Sequence, residues 1–210
     1  MIAVPCRRFV SSVLLLIGAA ASAACTHAPA TAVVAADGSP PAVRWLAPAE
    51  TAPHGEAHGA QARLLGTQPD GTKTYALVLS AGDEVWSALA AFANEHDVQS
   101  AHFSAIGAVR DPEVAWFDDS RRQFKAMRLH EQMEVLTLSG DITRAVNGHP
   151  SVHAHVALAG SDGRAWGGHL LAATASPTLE VFVTTYPVAL RKYVDASTQL
   201  QLIDPSLGRE

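Results

Sequence analysis

Cysteine is almost missing from this chain: Cys6 and Cys25 are the two thiols in 210 residues. That excludes a disulfide framework and a zinc ribbon built on paired thiolates. Charge is also sparse, at 17%, and aromatics reach 6%. With Lys+Arg 15 against Asp+Glu 20 the formal net charge is -5, which leaves no overall electrostatic footprint for a phosphate backbone. No G-x-x-x-x-G-K-[ST] loop, G-x-S-x-G elbow or H-E-x-x-H helix occurs, and no internal repeat. No apolar run is long enough for a stable transmembrane span. What remains is a chain that is 48% hydrophobic, much of it alanine, with ten histidines. It suits one sizeable core and one domain with a short appendage, not a disordered chain or a multidomain machine.

The N-terminus reads as an export device. Arg7 and Arg8 precede the apolar stretch Val13 to Ile17, and Ala21-Ser22-Ala23 offers a small-x-small cleavage pattern. A signal peptide is therefore expected over residues 1–24, discarding Cys6. Cys25 follows Ser22-Ala23-Ala24 in a way that resembles a bacterial lipobox, which leaves two outcomes open: a lipid on Cys25, or plain secretion. Either way the expected location is the periplasm or the cell envelope. Removing residues 1–24 takes two arginines and no acid, so the charge moves from -5 to -7. Residues 25–62 are rich in Ala, Pro, Gly and Thr and are expected to form a linker, in which His54 and His58 are solvated.

From Arg63 the pattern changes. Residues 75–79 form a β-rich run, and Gly82 or Asp83 can cap a helix to about Glu95, with Val85, Leu89 and Phe92 on one apolar stripe. Strand-like runs follow at 101–109, 113–117, 123–129, 132–139, 152–159, 164–171 and 178–185, separated by turns such as Asn147-Gly148 and Ser161-Asp162-Gly163. Short turns cannot carry parallel crossovers. The expected class is α+β: a largely antiparallel sheet of about seven strands with one main packed helix.

The residues with chemistry are His153, His155 and His169. Residues i and i+2 of a strand share a face, so His153 and His155 can present two imidazoles to one point. In an antiparallel hairpin, directly opposed residues have a constant index sum. If Ser161-Asp162-Gly163 is a three-residue loop with Gly163 left-handed, the sum is 324 and His155 opposes His169. A two-residue loop of Asp162-Gly163 gives 325 and turns His169 to the other face. Three imidazoles suit zinc first, then nickel or iron, and leave a fourth position for water or a ligand. Glu131 and Glu134 offer carboxylates that could orient a ligand histidine, against a default of a solvated strand face. His102 and His130 read as packing or surface residues, and Arg121, Arg122, Lys125 and Arg128 as a solvated basic face. Gly167-Gly168 precedes no helix N-terminus that could hold a phosphate, and reads as a place where backbones approach closely.

Four stretches in order, AIGAV (105–109), MEVLTLSG (133–140), LAGSDGRAWGGHL (158–170) and SPTLEVFV (176–183), resemble the plants-and-prokaryotes-conserved (PPC) domain. The similarity runs over residues 63–185, with the domain expected over 63–205. It implies a homotrimer and a family label of DNA-binding protein. In plant members the DNA contact resembles the work of a separate AT-hook, and no Arg-Gly-Arg-Pro hook occurs here. Bacterial single-domain members resemble this chain in having a histidine at the position of His169, where plant members tend to glycine. The expected function is an exported, trimeric metal-binding module that also takes a small-molecule ligand. DNA binding and metal-dependent catalysis are the alternatives. The first conflicts with an acidic exported chain, and the second lacks an identifiable acid/base constellation.

Overall fold

A computed structural model of the chain describes residues 42–51 and 55–206; the expected signal segment, Cys25 and His54 lie outside them. The strands are β1 (Ala42–Leu46), β2 (Gln61–Thr67), β3 (Lys73–Ser80), β4 (Ala101–Asp118), β5 (Gln123–Arg128), β6 (Gln132–Arg144), β7 (Pro150–Ala159), β8 (Ala165–Thr185), β9 (Arg191–Val194) and β10 (Gln201–Asp204). One helix, α1 (Val85–Glu95), and a single 3-10 turn, Pro48–Glu50, complete the elements.

Alternation drives the sheet. Along β4 and β7 buried and exposed side chains take turns, so each strand gives one face to a core. Phe103, Leu138, Ile142, Leu158, Leu170 and Leu179 are under 2% exposed there, and each such burial is worth about 1.5–3 kcal/mol. The strand order is β1-β5-β4-β6-β7-β8-β3-β2, and β4 also pairs with β8. The path β4-β6-β7-β8 therefore closes on itself. Helix α1 lies against β7 and β8 and buries Val85, Ala88, Leu89, Phe92 and Ala93. Phe92 meets Tyr75 of β3 edge to face at 5.2 Å.

The mostly antiparallel sheet with a single helix is as expected, but there are ten strands among the described residues, not seven. Two pairs of expected strands merge. Asp111 adopts a φ of 51° beside Pro112, where the pairing of β4 with β8 shifts register, so residues 101–109 and 113–117 are one bulged strand. Residues 164–171 and 178–185 likewise join through Ser176-Pro177 into β8. Four strands carry too little pattern to be anticipated. β1 lies inside the stretch expected to be a linker, yet pairs in full with β5, and Arg44 ties it to the buried Glu113 of β4 through two hydrogen bonds of 2.7 and 2.9 Å. β2 is exposed at every position, and β9 and β10 have four residues each. The cap of α1 also differs. Glu84, not Asp83 or Gly82, accepts from Trp86 N and Ser87 N, because Asp83 already accepts from the backbone N–H groups of His58, Gly59 and Ser80.

β6 and β7 approach each other over Gly140. A Cβ there would sit 2.0 Å from the His153 carbonyl oxygen and 2.7 Å from the Phe103 ring. Gly140→Ala is expected to cost at least about 2 kcal/mol through overpacking. Gly66→Ala, with nothing within 4 Å, should stay within about 0.5 kcal/mol. Guanidinium unfolding of the two variants measures the contrast.

Candidate metal centre

Two hairpin loops of the same kind flank β7. Gly160 N–H donates to Arg164 O at 2.9 Å and Gly163 N–H to Gly160 O at 2.9 Å, while Ala145 N–H donates to His149 O and Gly148 N–H to Ala145 O, also at 2.9 Å. Gly163 and Gly148 have φ of 78° and 80°, the left-handed conformation that ends a three-residue hairpin loop. The β7–β8 register is the 324 one, with Ala159 opposite Ala165 and His155 opposite His169. On the other side of β7, His153 opposes Asp141 and His155 opposes Ser139 of β6.

The three imidazoles converge. Ring centroids are 5.2 Å apart for His153 and His155, 5.0 Å for His153 and His169, and 5.5 Å for His155 and His169. One nitrogen from each lies within 4.8 Å of the others. His169 stacks on Phe124 at 4.9 Å and 22°, and Trp86 stands 6.5 Å from it. Burial, then His153, His155 and Lys192, push the His169 imidazole down to about 3. Burial and then His153 lower His155 as well. Both rings are therefore neutral at pH 7, the form that binds a metal.

His153 Nδ1 donates to Asp141 Oδ2 at 3.2 Å, which leaves its Nε2 as the nitrogen free for a metal. Burial opposes ionisation of Asp141, but the hydrogen bond from His153 and the charges of Lys192 and His153 together hold its carboxyl below the usual range. Lys192 of β9 lies 3.3 Å from Asp141 Oδ1, with its side chain 3% exposed. The donor set fits a tetrahedral ion. Zinc with three imidazoles needs nitrogens about 3.3 Å apart, a modest closing from the separations here.

Glu131 and Glu134, expected by default on a solvated strand face, stand clear of the three imidazoles. Glu134 is exposed on β6 opposite Ala159, and Glu131 receives Ser161 Oγ at 3.4 Å; neither contacts the triad. Asp141 was missed because β6 was expected to end at residue 139, whereas it runs to Arg144. The flanking Asn147-Gly148 turn held the signal, since a three-residue loop closed by Gly148 pairs Asp141 with His153. His102 bonds Tyr186 at 2.7 Å, His130 lies 3.7 Å from Asp111, and His58 pairs with Glu56; none joins the triad. Arg121 is taken up by Asp118 at 2.7 Å and by the Trp45 ring. Gly167 and Gly168 serve close approach, because a Cβ would meet Val156 O at 2.7 Å and Ala115 O at 2.6 Å.

A depressed histidine makes the metal-free fold sensitive to acid. Above about pH 6.5 neither state protonates His169; as pH falls the unfolded chain takes a proton that the folded one refuses until about 3. Stability should fall between pH 7 and 5 by on the order of 1–2 kcal/mol more in the parent than in His169→Gln, read from guanidinium midpoints.

Residues 66–187 match the model of the Plants and Prokaryotes Conserved (PCC) domain. A solved candidate DNA-binding protein from Ralstonia eutropha JMP134 is 31% identical, at a TM-score of 0.59, over 66% of this chain and 94% of that one. The protein AF0104 from Archaeoglobus fulgidus, described as metal-containing, is 30% identical with a TM-score of 0.57, over 72% of this chain and 98% of its own. A 99-residue stretch, 47% of this chain, is 33% identical to the bifunctional protein GlmU of Synechococcus sp. strain JA-3-3Ab, but spans 14% of that protein. A domain match over 66–187, an antiparallel sheet with one helix, and two solved relatives at 30% identity or more lead to one conclusion: the chain belongs to the Plants and Prokaryotes Conserved domain family.

Proposed function

We propose that this protein is a metal-binding module in which His153, His155 and His169 hold one divalent ion, zinc first among the choices. The observation that carries the reading is the meeting of two depressed, neutral imidazoles and a third whose Nδ1 is committed to Asp141. Three imidazole nitrogens within 4.8 Å of one another form a ready donor set for a single cation. The bound ion would supply an open coordination position for water or a ligand. The metal-containing description of the Archaeoglobus relative supports the reading.

Assembly as a homotrimer goes with it. Ile106, Phe182 and Val78 stand 59%, 53% and 41% exposed around Glu180 on adjacent strands β4, β8 and β3, exposed apolar surface of the kind that a neighbouring copy covers. Light scattering should give three times the chain mass, and a monomer mass refutes this part. Export with loss of residues 1–24, soluble or lipid-anchored at Cys25, is read by intact mass of native material.

DNA binding, the label of the Ralstonia relative, is the weaker reading. The net charge is -5, and of the basic cluster Arg121 is already committed to Asp118 and Trp45. Binding to duplex DNA at physiological salt should be negligible.

The deciding experiment is metal analysis of purified protein. One zinc per chain is expected for the parent and none for His169→Ala. Asp141→Asn should retain the site with about 10–100-fold weaker affinity. A parent that takes up no ion at saturating zinc ends the proposal.

A further inference from the structure

The triad opens into a cavity of about 1180 Å³. Part of its wall comes from outside the matched domain of residues 66–187. Ala47, Pro48 and Ala49, just after β1, form one side, and Lys192, Val194, Leu200 and Leu202 form another. The charge of this lining is one-sided. Arg122 and Lys192 face the cavity, and no aspartate or glutamate lines it among the described residues, although acids outnumber bases in the chain by 20 to 15.

Lys192 is the less ordinary of the two cations. Its side chain is 3% exposed, and burying an ammonium is costly unless its donors are used. Asp141 Oδ1 lies 3.3 Å away, but that oxygen accepts no aligned hydrogen bond. An ammonium has three N–H donors, and this one off-axis carboxylate contact leaves some of them to something in the cavity. Arg122, exposed and held at a φ of 54°, has no carboxylate partner among the described residues. Beside these cations stand Trp86, Phe117, Phe124 and Leu200, an apolar wall that a small inorganic ion would leave uncovered.

We propose that the cavity binds a small organic carboxylate, its anionic head beside Lys192 at the open coordination position of the three-histidine site and its apolar body against Trp86, Phe117 and Leu200, with Arg122 at the mouth. This rests on the metal reading for the position of the head, while the charge and wall are properties of the chain alone. Specificity then resides in the lining rather than in the triad, with Lys192 and Leu200 supplied from beyond the matched domain and Trp86, Phe117 and Arg122 from within it.

The test uses the full chain loaded with cobalt(II), whose visible bands report changes in coordination, and benzoate as the probe, with benzamide as its uncharged counterpart. Benzoate should perturb the bands saturably and benzamide should not. Lys192→Met should keep one cobalt per chain and weaken benzoate binding at least about tenfold, the scale of a lost charge-assisted hydrogen bond. Arg122→Glu, at an exposed position, should weaken it several-fold and keeps the test open if Lys192→Met does not fold. Cobalt loading with no benzoate response, or with benzoate affinity unchanged in both variants, overturns this proposal and leaves the metal reading standing. Failure to load cobalt overturns both.

Discussion

Everything at this site depends on the register of β7. Because side chains alternate with a period of two, shifting one strand by a single residue sends its whole set to the opposite face. Two three-residue loops remove that freedom, each closed by a glycine that takes the left-handed conformation, Gly148 on one side and Gly163 on the other. With both neighbours fixed, β7 brings His155 opposite His169 and His153 opposite Asp141. The same parity points Val152, Ala154, Val156 and Leu158 into the core. Core packing and the imidazole cluster are thus one constraint seen from the two faces of a strand, and neither can slip without the other.

The closed path β4-β6-β7-β8 turns this local alignment into a desolvated site. Pairing of β8 with β4 sets His169 opposite Ala115, and β5, the next strand along, contributes Phe124 as a platform for its ring. Water is excluded from one face of the imidazole, which disfavours its charged form. Asp141 meets the opposite circumstance. It is half-buried, but it faces His153 and Lys192, and the hydrogen bond from His153 with the charges of both outweighs the desolvation. Neighbouring groups on one sheet face are driven toward complementary states, a neutral donor and an anionic acceptor, by what surrounds each.

Much of this was legible in the sequence, and the illegible parts share a cause. His153-x-His155, the Ser161-Asp162-Gly163 turn and the index sum gave the triad without coordinates, since hairpin pairing is local. The helix stripe of Val85, Leu89 and Phe92 was legible for the same reason. What escaped was structure that exists only through distant partners. β1 has five residues and no alternation, and is a strand because β5 and Arg44–Glu113 hold it. β9 is four residues whose buried member is a lysine, the reverse of what hydropathy looks for. At Asp111-Pro112 and Ser176-Pro177 the turn signals were real, but the long strands absorb them as bulges and bends. Asp141 fell two residues beyond the expected end of β6, where element boundaries are least certain.

The three candidate ligands lie within seventeen residues of one another, all on the β7–β8 hairpin. Joining them closes a short loop, for which the entropic cost is small and grows only slowly with length. Phe124 and Lys192, which give the site its dryness and its charge, stand far away in the chain, so their arrival waits on long-range pairing, the slow part of forming any sheet. The site is therefore hierarchical in time as well as in space: its donors can gather as soon as one hairpin zips, and its surroundings are complete only when the sheet closes around them.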